Sequence, residues 1–454
     1  MALGRFWRDQ VGMIADRGRE ILGLGAKRAP DAAALAQRLL AQKGEAVGLA
    51  IAQELAASID RLDAQGKTDL LLLLARDFES DAAGVDAAIG QWQKSATPEN
   101  LMALRAAAEP PRQELFRRIN MASDGTRTIV RLRQHLLGQL AAHKELRIVD
   151  SDLRHLLASW FNRGFLRLER IDWNTSAAVL EKLIAYEAVH EIRGWDDLRG
   201  RLGVDRRCFA FFHPAMPEEP LIFVEVALVE GLAAAIAPLI DPIRAVADPR
   251  LADTAIFFSI SNCQEGLRGI SFGNFLIKQV VDELQAELPQ LRHFATLSPL
   301  PRMREIVEKE KAIFTDQRIA DLLGKDAMTA LGLADGNDAL AALERTLTAG
   351  KASPALRRGL EMLSLAYLTR AKREAHAADP VAHFHLGNGA RLERIDVGGD
   401  LSAKGIRQAF GVMVNYLYDP KSLEANHERY VASGEVPLSR KLQAQADAIA
   451  KMWQ

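Results

Sequence analysis

The hydrophobic pattern of this chain changes period once, and that change limits what it can fold into. From Asp31 to about residue 158, apolar residues recur at three- and four-residue spacing. After Trp160, short runs rich in β-branched and aromatic residues take over. The first pattern follows the turn of an α-helix, at about 3.6 residues; compact apolar runs between turn residues suit strands. A chain of 454 residues exceeds what one small core can hold. The two patterns are therefore expected to form an all-α domain over 1–158 and a mixed domain over 159–454, an α+β chain overall.

In Asp31–Leu62 the stripe runs through Leu35, Leu39, Leu40, Val47, Ile51, Leu55 and Ile59, with polar residues between. That predicts an amphipathic helix. Asp69–Phe78, Pro98–Ala108, Gln113–Met121 and Thr126–Leu140 repeat it, with breaks near Pro110–Pro111, Asp124–Gly125 and Lys144–Glu145. No residue cluster here suggests chemistry, so packing or oligomerisation is the expected role, with partner binding as the alternative.

Beyond Trp160, strands are predicted at Leu221–Leu228, Thr254–Ser261 and His293–Leu297. Phe275–Leu288 reads as a helix with Ile277, Val280, Val281, Leu284 and Leu288 on one face. Leu401–Tyr416, through Ile406, Phe410, Met413 and Val414, reads as another. Several more helices are expected between Asp316 and Ala375.

Charge narrows the partners. The 58 basic and 59 acidic side chains nearly cancel, so neither nucleic acid nor an anionic membrane is expected as a partner. The longest weakly polar stretch, Val224–Ile240, contains Glu225 and Glu230 and falls short of the roughly 20 apolar residues of a membrane span. The first 25 residues mix arginines with Asp9, Asp16 and Glu20, and the chain ends KMWQ. Neither fits a secretory, transit or peroxisomal address, so a cytoplasmic, bacterial location is expected. Two cysteines, Cys208 and Cys263, are too few for a four-thiolate zinc site or a disulfide framework.

One segment has the makings of an anion site. TAIFFSISNCQEGLRGISFGNFLIKQVVDEL runs from strand through loop to helix, with Gly266, Gly269 and Gly273 ahead of the helix. Glycines let backbone approach a ligand closely, and the first helical turn offers unpaired N–H groups and partial positive charge. The spacing is neither that of a P-loop nor of a dinucleotide fingerprint. It admits a pyrophosphate cradle or a bare turn.

Two further residues draw attention. Ser298 follows a short strand and precedes Pro299, which drives its backbone into extended conformations; it is either a pre-positioned hydroxyl or the start of a turn. His385 stands two residues after His383. If that segment is extended, both point to one side as a conceivable metal pair, but no third ligand is apparent.

Four blocks in order carry a resemblance: HPAMPEEPLIFVEVAL from His213, FFSISNCQEGLRGISFGNFLIKQVV from Phe257, TLSPLPRM from Thr296 and VAHFHLGNGARLERI from Val381. Together they resemble the malonyl-CoA decarboxylase family. That family sets a GNAT-like (acyl-CoA N-acyltransferase) catalytic domain behind a helical one.

The resemblance implies an acyl-CoA-binding stretch at Arg268, Gly269, Ile270, Ser271, Phe272, Gly273 and Asn274, and catalytic roles for Ser298 and His385. Gly266, Asn388, Tyr416 and His213 form a second rank; Asn388, between two glycines, is read as a turn residue with positive φ. The implied substrate is malonyl-CoA and the implied assembly a homotetramer built through the helical domain. No metal or added cofactor is expected, because the thioester carbonyl lies β to the departing carboxylate and is itself the electron sink. The competing expectations are an acyl-CoA N-acyltransferase on the same cradle, or a non-catalytic acyl-CoA sensor.

Overall fold

The computed structural model describes residues 31–270, 276–333 and 337–453. They form two compact units: one of residues up to Arg167 with 211–222 and 262–270, the other of 168–210, 223–261 and 276–453.

The first unit is helical: α1 (Ala32–Ala41), α2 (Glu45–Arg61), α3 (Ala64–Asp77), α4 (Ala82–Lys94), α5 (Pro98–Ala108), α6 (Pro111–Asn120), α7 (Gly125–Gln139) and α8 (Arg147–Trp160). The single stripe expected over Asp31–Leu62 is two helices. Gln42 and Gly44 adopt extended backbone between them, while Leu35, Leu39, Ile51, Leu55 and Ile59 stay buried. Side-chain caps start some of these helices: Asp63 accepts from the Gly66 amide at 2.7 Å, and Thr97 caps α5 with Pro98 in its first turn. Pattern reading missed α4 and α8. Helix α4 buries no residue; α8 buries Val149, Leu153, Leu156 and Leu157.

Two short segments from beyond residue 159 belong to this unit. Met216 and Leu221 from 211–222, and Leu267 and Ile270 from 262–270, join the helical core. Their apolar side chains leave water there rather than in the sheet.

The second unit centres on a mixed sheet of β1 (Arg167–Ile171), β2 (Arg206–Phe212), β3 (Ile222–Val229), β4 (Thr254–Asn262), β5 (His293–Thr296), β6 (Ser298–Pro299), β9 (Arg391–Val397) and β10 (Val412–Leu417). β7 (Lys372–Arg373) and β8 (His376–Ala377) make a separate small ribbon. The spatial order is β1-β2-β3-β4-β5-β10-β6, with β9 also paired to β10. β4 and β5 run parallel, from Thr254↔His293 to Phe257↔Thr296, and α12 (Leu276–Glu287) connects them as a parallel crossover requires. The strand, loop and helix expected from the segment after Thr254 thus lie in a parallel β–α–β connection within a mixed α and β region. The remaining helices are α9 (Ala177–Tyr186), α10 (Trp195–Arg201), α11 (Ala237–Ile240), α13 (Met303–Lys309), α14 (Asp316–Leu323), α15 (Lys325–Leu331), α16 (Ala339–Thr348), α17 (Pro354–Arg370), α18 (Pro380–Gly387), α19 (Ala403–Ala409), α20 (Leu423–Ser433) and α21 (Arg440–Met452).

Two sequence expectations are corrected here. Leu401–Tyr416 is not one helix. Phe410 (φ 55°) and Gly411 (φ 73°) take left-handed backbone and end α19, after which Val412–Leu417 is strand β10. The apolar spacing of Ile406, Phe410, Met413 and Val414 mimics a helix, but a Gly stop followed by the β-branched Val412 and Val414 outweighs it. The segment around His383 and His385 is helical rather than extended. Asp379 caps α18 by accepting from the Val381 and Ala382 amides, and Pro380 sits in its first turn.

Candidate active site

Antiparallel pairing brings the site's strands together. β10 pairs with β5 at Leu417↔Ala295 and with β6 at Val414↔Ser298. Thr296 and Ser298 lie two residues apart on one continuous edge, so their hydroxyls share a face. The Ser298 hydroxyl lies 2.9 Å from Thr296 Oγ1, which also accepts from the Tyr416 amide at 3.2 Å. Asn415 ties the same strand down by donating to the Thr296 carbonyl at 2.7 Å.

Helix α18 brings His385 to this edge. Its Nε2 lies 3.1 Å from Ser298 Oγ, and its Nδ1 lies 2.8 Å from the Tyr418 hydroxyl. Tyr416, two residues before Tyr418, stacks its ring on the imidazole with 4.8 Å between centroids and 25° between the planes. Ser298 is 5% exposed, His385 3%, Tyr418 1% and Tyr416 fully buried. Burial pushes the His385 pKa down to about 3, so the imidazole is neutral at neutral pH. The same burial pushes both tyrosines above their ordinary range. A neutral imidazole has one N–H. If Tyr418 donates to Nδ1, Nε2–H donates to Ser298, which then donates to Thr296, and each of these four side chains is partnered. The Tyr416 hydroxyl is buried beside it, without a hydrogen-bond partner among the described residues.

The other sequence-predicted residues fall as follows. Asn388 ends α18 with φ −92° and donates from Nδ2 to the Phe384 carbonyl at 2.7 Å. The positive φ belongs to Gly389 instead, at 84°, where a Cβ would strike the Leu423 carbonyl. His383 meets Tyr430 Oη at 2.9 Å. His213, Gly266, Arg268, Gly269 and Ile270 belong to the helical unit. His213 contacts the Trp160 carbonyl at 3.1 Å and accepts from the Ala215 amide. Gly269 has φ 78°, Ile270 is buried in the helical core, and the Arg268 side chain is 64% exposed beside Glu265. Ser271, Phe272, Gly273 and Asn274 lie outside the described residues. Pattern reading overlooked Thr296 and Tyr418, although each sits two residues along a strand direction from a residue it singled out.

Comparison with known proteins agrees with this architecture. Residues 164–454 match the malonyl-CoA decarboxylase C-terminal domain, and residues 78–161 match the malonyl-CoA decarboxylase N-terminal domain. The chain belongs to the malonyl-CoA decarboxylase family. The mitochondrial malonyl-CoA decarboxylase of Anser anser anser is 33% identical over 402 residues, covering 83% of this chain and 79% of the relative. The mouse enzyme (Mus musculus) is 34% identical over 411 residues, covering 84% and 82%. Among solved structures, malonyl-CoA decarboxylase from Rhodopseudomonas palustris is 45% identical with a TM-score of 0.81, covering 92% of this chain and 100% of that one. The Agrobacterium vitis enzyme has the same identity and TM-score.

For a malonyl-CoA decarboxylase the chemical demand is small. Breaking the C–C bond leaves a thioester enolate, which needs one proton at C2. A buried hydroxyl–imidazole pair can hold and pass that proton. Among the described residues, no group of three His, Cys, Asp or Glu side chains is placed to hold a metal ion, and no helix is long and apolar enough to cross a membrane.

Proposed function

We infer that the chain converts malonyl-CoA to acetyl-CoA and carbon dioxide, with Ser298 and His385 acting on the malonyl group. The observation that carries the site assignment is the 3.1 Å contact between Ser298 Oγ and His385 Nε2 among the buried hydroxyls of Thr296, Tyr416 and Tyr418. The stretch 268–274 holds the pyrophosphate of CoA in this reading, supported by the left-handed Gly269.

Charge balance gives the steps. The malonyl carboxylate is an anion and carbon dioxide is neutral, so each turnover consumes one proton. Free His385 is neutral because burial disfavours its cation. A substrate carboxylate arriving nearby favours that cation, so a proton enters with the substrate. The C–C bond breaks and its electron pair enters the thioester as an enolate. The imidazolium then gives its Nε2 proton to C2, directly or through Ser298 Oγ. Once the carboxylate has gone, His385 returns to its neutral form. Tyr418 holds Nδ1 and keeps the ring aimed at Ser298. The Tyr416 hydroxyl, buried and unpartnered, is the donor we assign to the bound malonyl group.

The same reading includes a homotetramer assembled through the helical region, checked by native mass spectrometry, and a cytoplasmic location, checked by fractionation.

Purified protein incubated with malonyl-CoA alone tests the activity. Equimolar acetyl-CoA and carbon dioxide, with no amine acceptor, is the expected result. Binding without release would make the protein a sensor, and a requirement for an amine would make it an acyltransferase.

A further inference from the structure

A serine beside a histidine can be wired in two directions, and the partners of this pair select one of them. In hydrolytic triads a carboxylate accepts the Nδ1–H of the histidine, which leaves Nε2 bare to take the serine proton. Here Nδ1 meets the Tyr418 hydroxyl instead, at 2.8 Å. Tyr418 is 1% exposed, and among the described residues His385 Nδ1 is its one side-chain hydrogen-bond partner. Burial raises the Tyr418 pKa and keeps the proton on its oxygen, so that O–H has Nδ1 as its acceptor. Burial alone holds the His385 ring neutral at neutral pH, and a neutral ring accepting at Nδ1 carries its one N–H on Nε2. Ser298 Oγ, 3.1 Å away, accepts that N–H, and its own hydrogen turns to Thr296 Oγ1 at 2.9 Å. The rival tautomer, with Nδ1–H donating to Tyr418, leaves the phenol hydrogen buried without an acceptor. That disfavours it by roughly five- to a hundredfold.

We propose that Tyr418 is a positioning residue that sets the polarity of the pair: it keeps the proton on His385 Nε2, so the pair donates to substrate and does not activate Ser298 as a nucleophile. This rests on the reading of Ser298 and His385 as the residues that act on the malonyl group. The consequence is a choice between reactions. Malonyl-CoA offers two bonds to break, the C–C bond to the carboxylate and the C–S bond of the thioester. Attack by Ser298 on the thioester would form an Oγ–C bond and expel the CoA thiolate. The hydroxyl proton would have to pass to Nε2 and on to that thiolate, and water would then free the acid from the serine. Those proton transfers need a bare Nε2, the form that Tyr418 disfavours. Decarboxylation needs the reverse, a proton on Nε2 for C2. With substrate bound, the imidazolium also carries Nε2–H. After it has protonated C2, the Tyr418 hydroxyl draws the ring back to the tautomer that is bare at Nδ1. The pair is thereby held to carbon–carbon cleavage, and the thioester is spared.

Nitrogen NMR on the histidine-labelled full chain reads the tautomer, with His385→Asn identifying the resonances. The parent is expected to show Nε2–H and a bare Nδ1 at neutral pH; Nδ1–H in the parent would overturn the proposal without recourse to any variant. Tyr418→Phe, checked for folding by circular dichroism, is expected to lose the bias and show the Nδ1–H form. With malonyl-CoA as substrate, the parent should make acetyl-CoA with little free CoA. The ratio of free CoA to acetyl-CoA should rise at least about fivefold in Tyr418→Phe, and adding Ser298→Ala should abolish the free CoA. A Tyr418→Phe variant that is merely slower, with the parent's tautomer or the parent's product ratio, would overturn the role of Tyr418 and leave Ser298 and His385 in theirs. If Ser298→Ala and His385→Asn each keep normal turnover, the reading of the site fails and this proposal with it.

Discussion

Ser298 and His385 are 87 residues apart in sequence, yet their Oγ and Nε2 atoms lie 3.1 Å apart. The fold closes that distance twice. Pairing with β10 fixes the Ser298 backbone, and the Asp379 cap and Pro380 start α18 so that its last turn faces the same edge.

Tyr418→Phe removes the partner of His385 Nδ1. A buried acceptor or donor left unpaired costs about 1–3 kcal/mol, so the melting temperature should fall. Turnover should fall as well, because the ring loses the bond that aims it. Calorimetry and steady-state kinetics on the variant check both; unchanged kcat would remove Tyr418 from the account.

Tyr416→Phe should behave in the opposite way on stability. Its hydroxyl is already buried without a partner, so deleting it should leave the melting temperature unchanged or raise it. If that hydroxyl meets the malonyl group, turnover nevertheless drops. A variant with full activity would show that the hydroxyl plays no part.

Acid sensitivity follows from His385. Its pKa drops from 6.5 to about 3 on folding, so between these values the unfolded chain binds the proton and the folded chain does not. Stability is therefore complete above about pH 6.5 and declines as pH falls toward 3. His190, pushed down to about 4 chiefly by burial and next by Arg201, acts in the same direction. Denaturant unfolding at several pH values should show a shallower acid decline for His385→Gln than for the parent. Parallel curves would mean that His385 titrates normally.

Proton uptake tests the charge argument. Sulfoacetyl-CoA places an anion where the malonyl carboxylate sits but cannot lose carbon dioxide. Its binding near pH 7 should take up a proton beyond that seen with acetyl-CoA, measured by titration calorimetry in buffers of different ionisation enthalpy. His385→Asn should abolish the excess.

The helical stripes were legible because a single amphipathic face leaves its period in the sequence, and three of the strands because compact β-branched and aromatic runs stand between turn residues. Strand β10, buried like them, was not, because Phe410–Met413–Val414 carries an accidental helical spacing across a Gly stop. The extended reading of His383 and His385 failed where a short helix is set by its cap, Asp379–Pro380, more than by its stripe. Ser298 and His385 came from ordered blocks resembling one family; their contact, and the roles of Thr296 and Tyr418, depend on strand pairing between distant segments.

The direct test of the Ser298–His385 assignment is steady-state decarboxylation by Ser298→Ala and His385→Asn, with CoA binding measured alongside. Each variant should lose at least about tenfold in kcat while binding CoA as the parent does. Near-normal turnover in either would contradict the account.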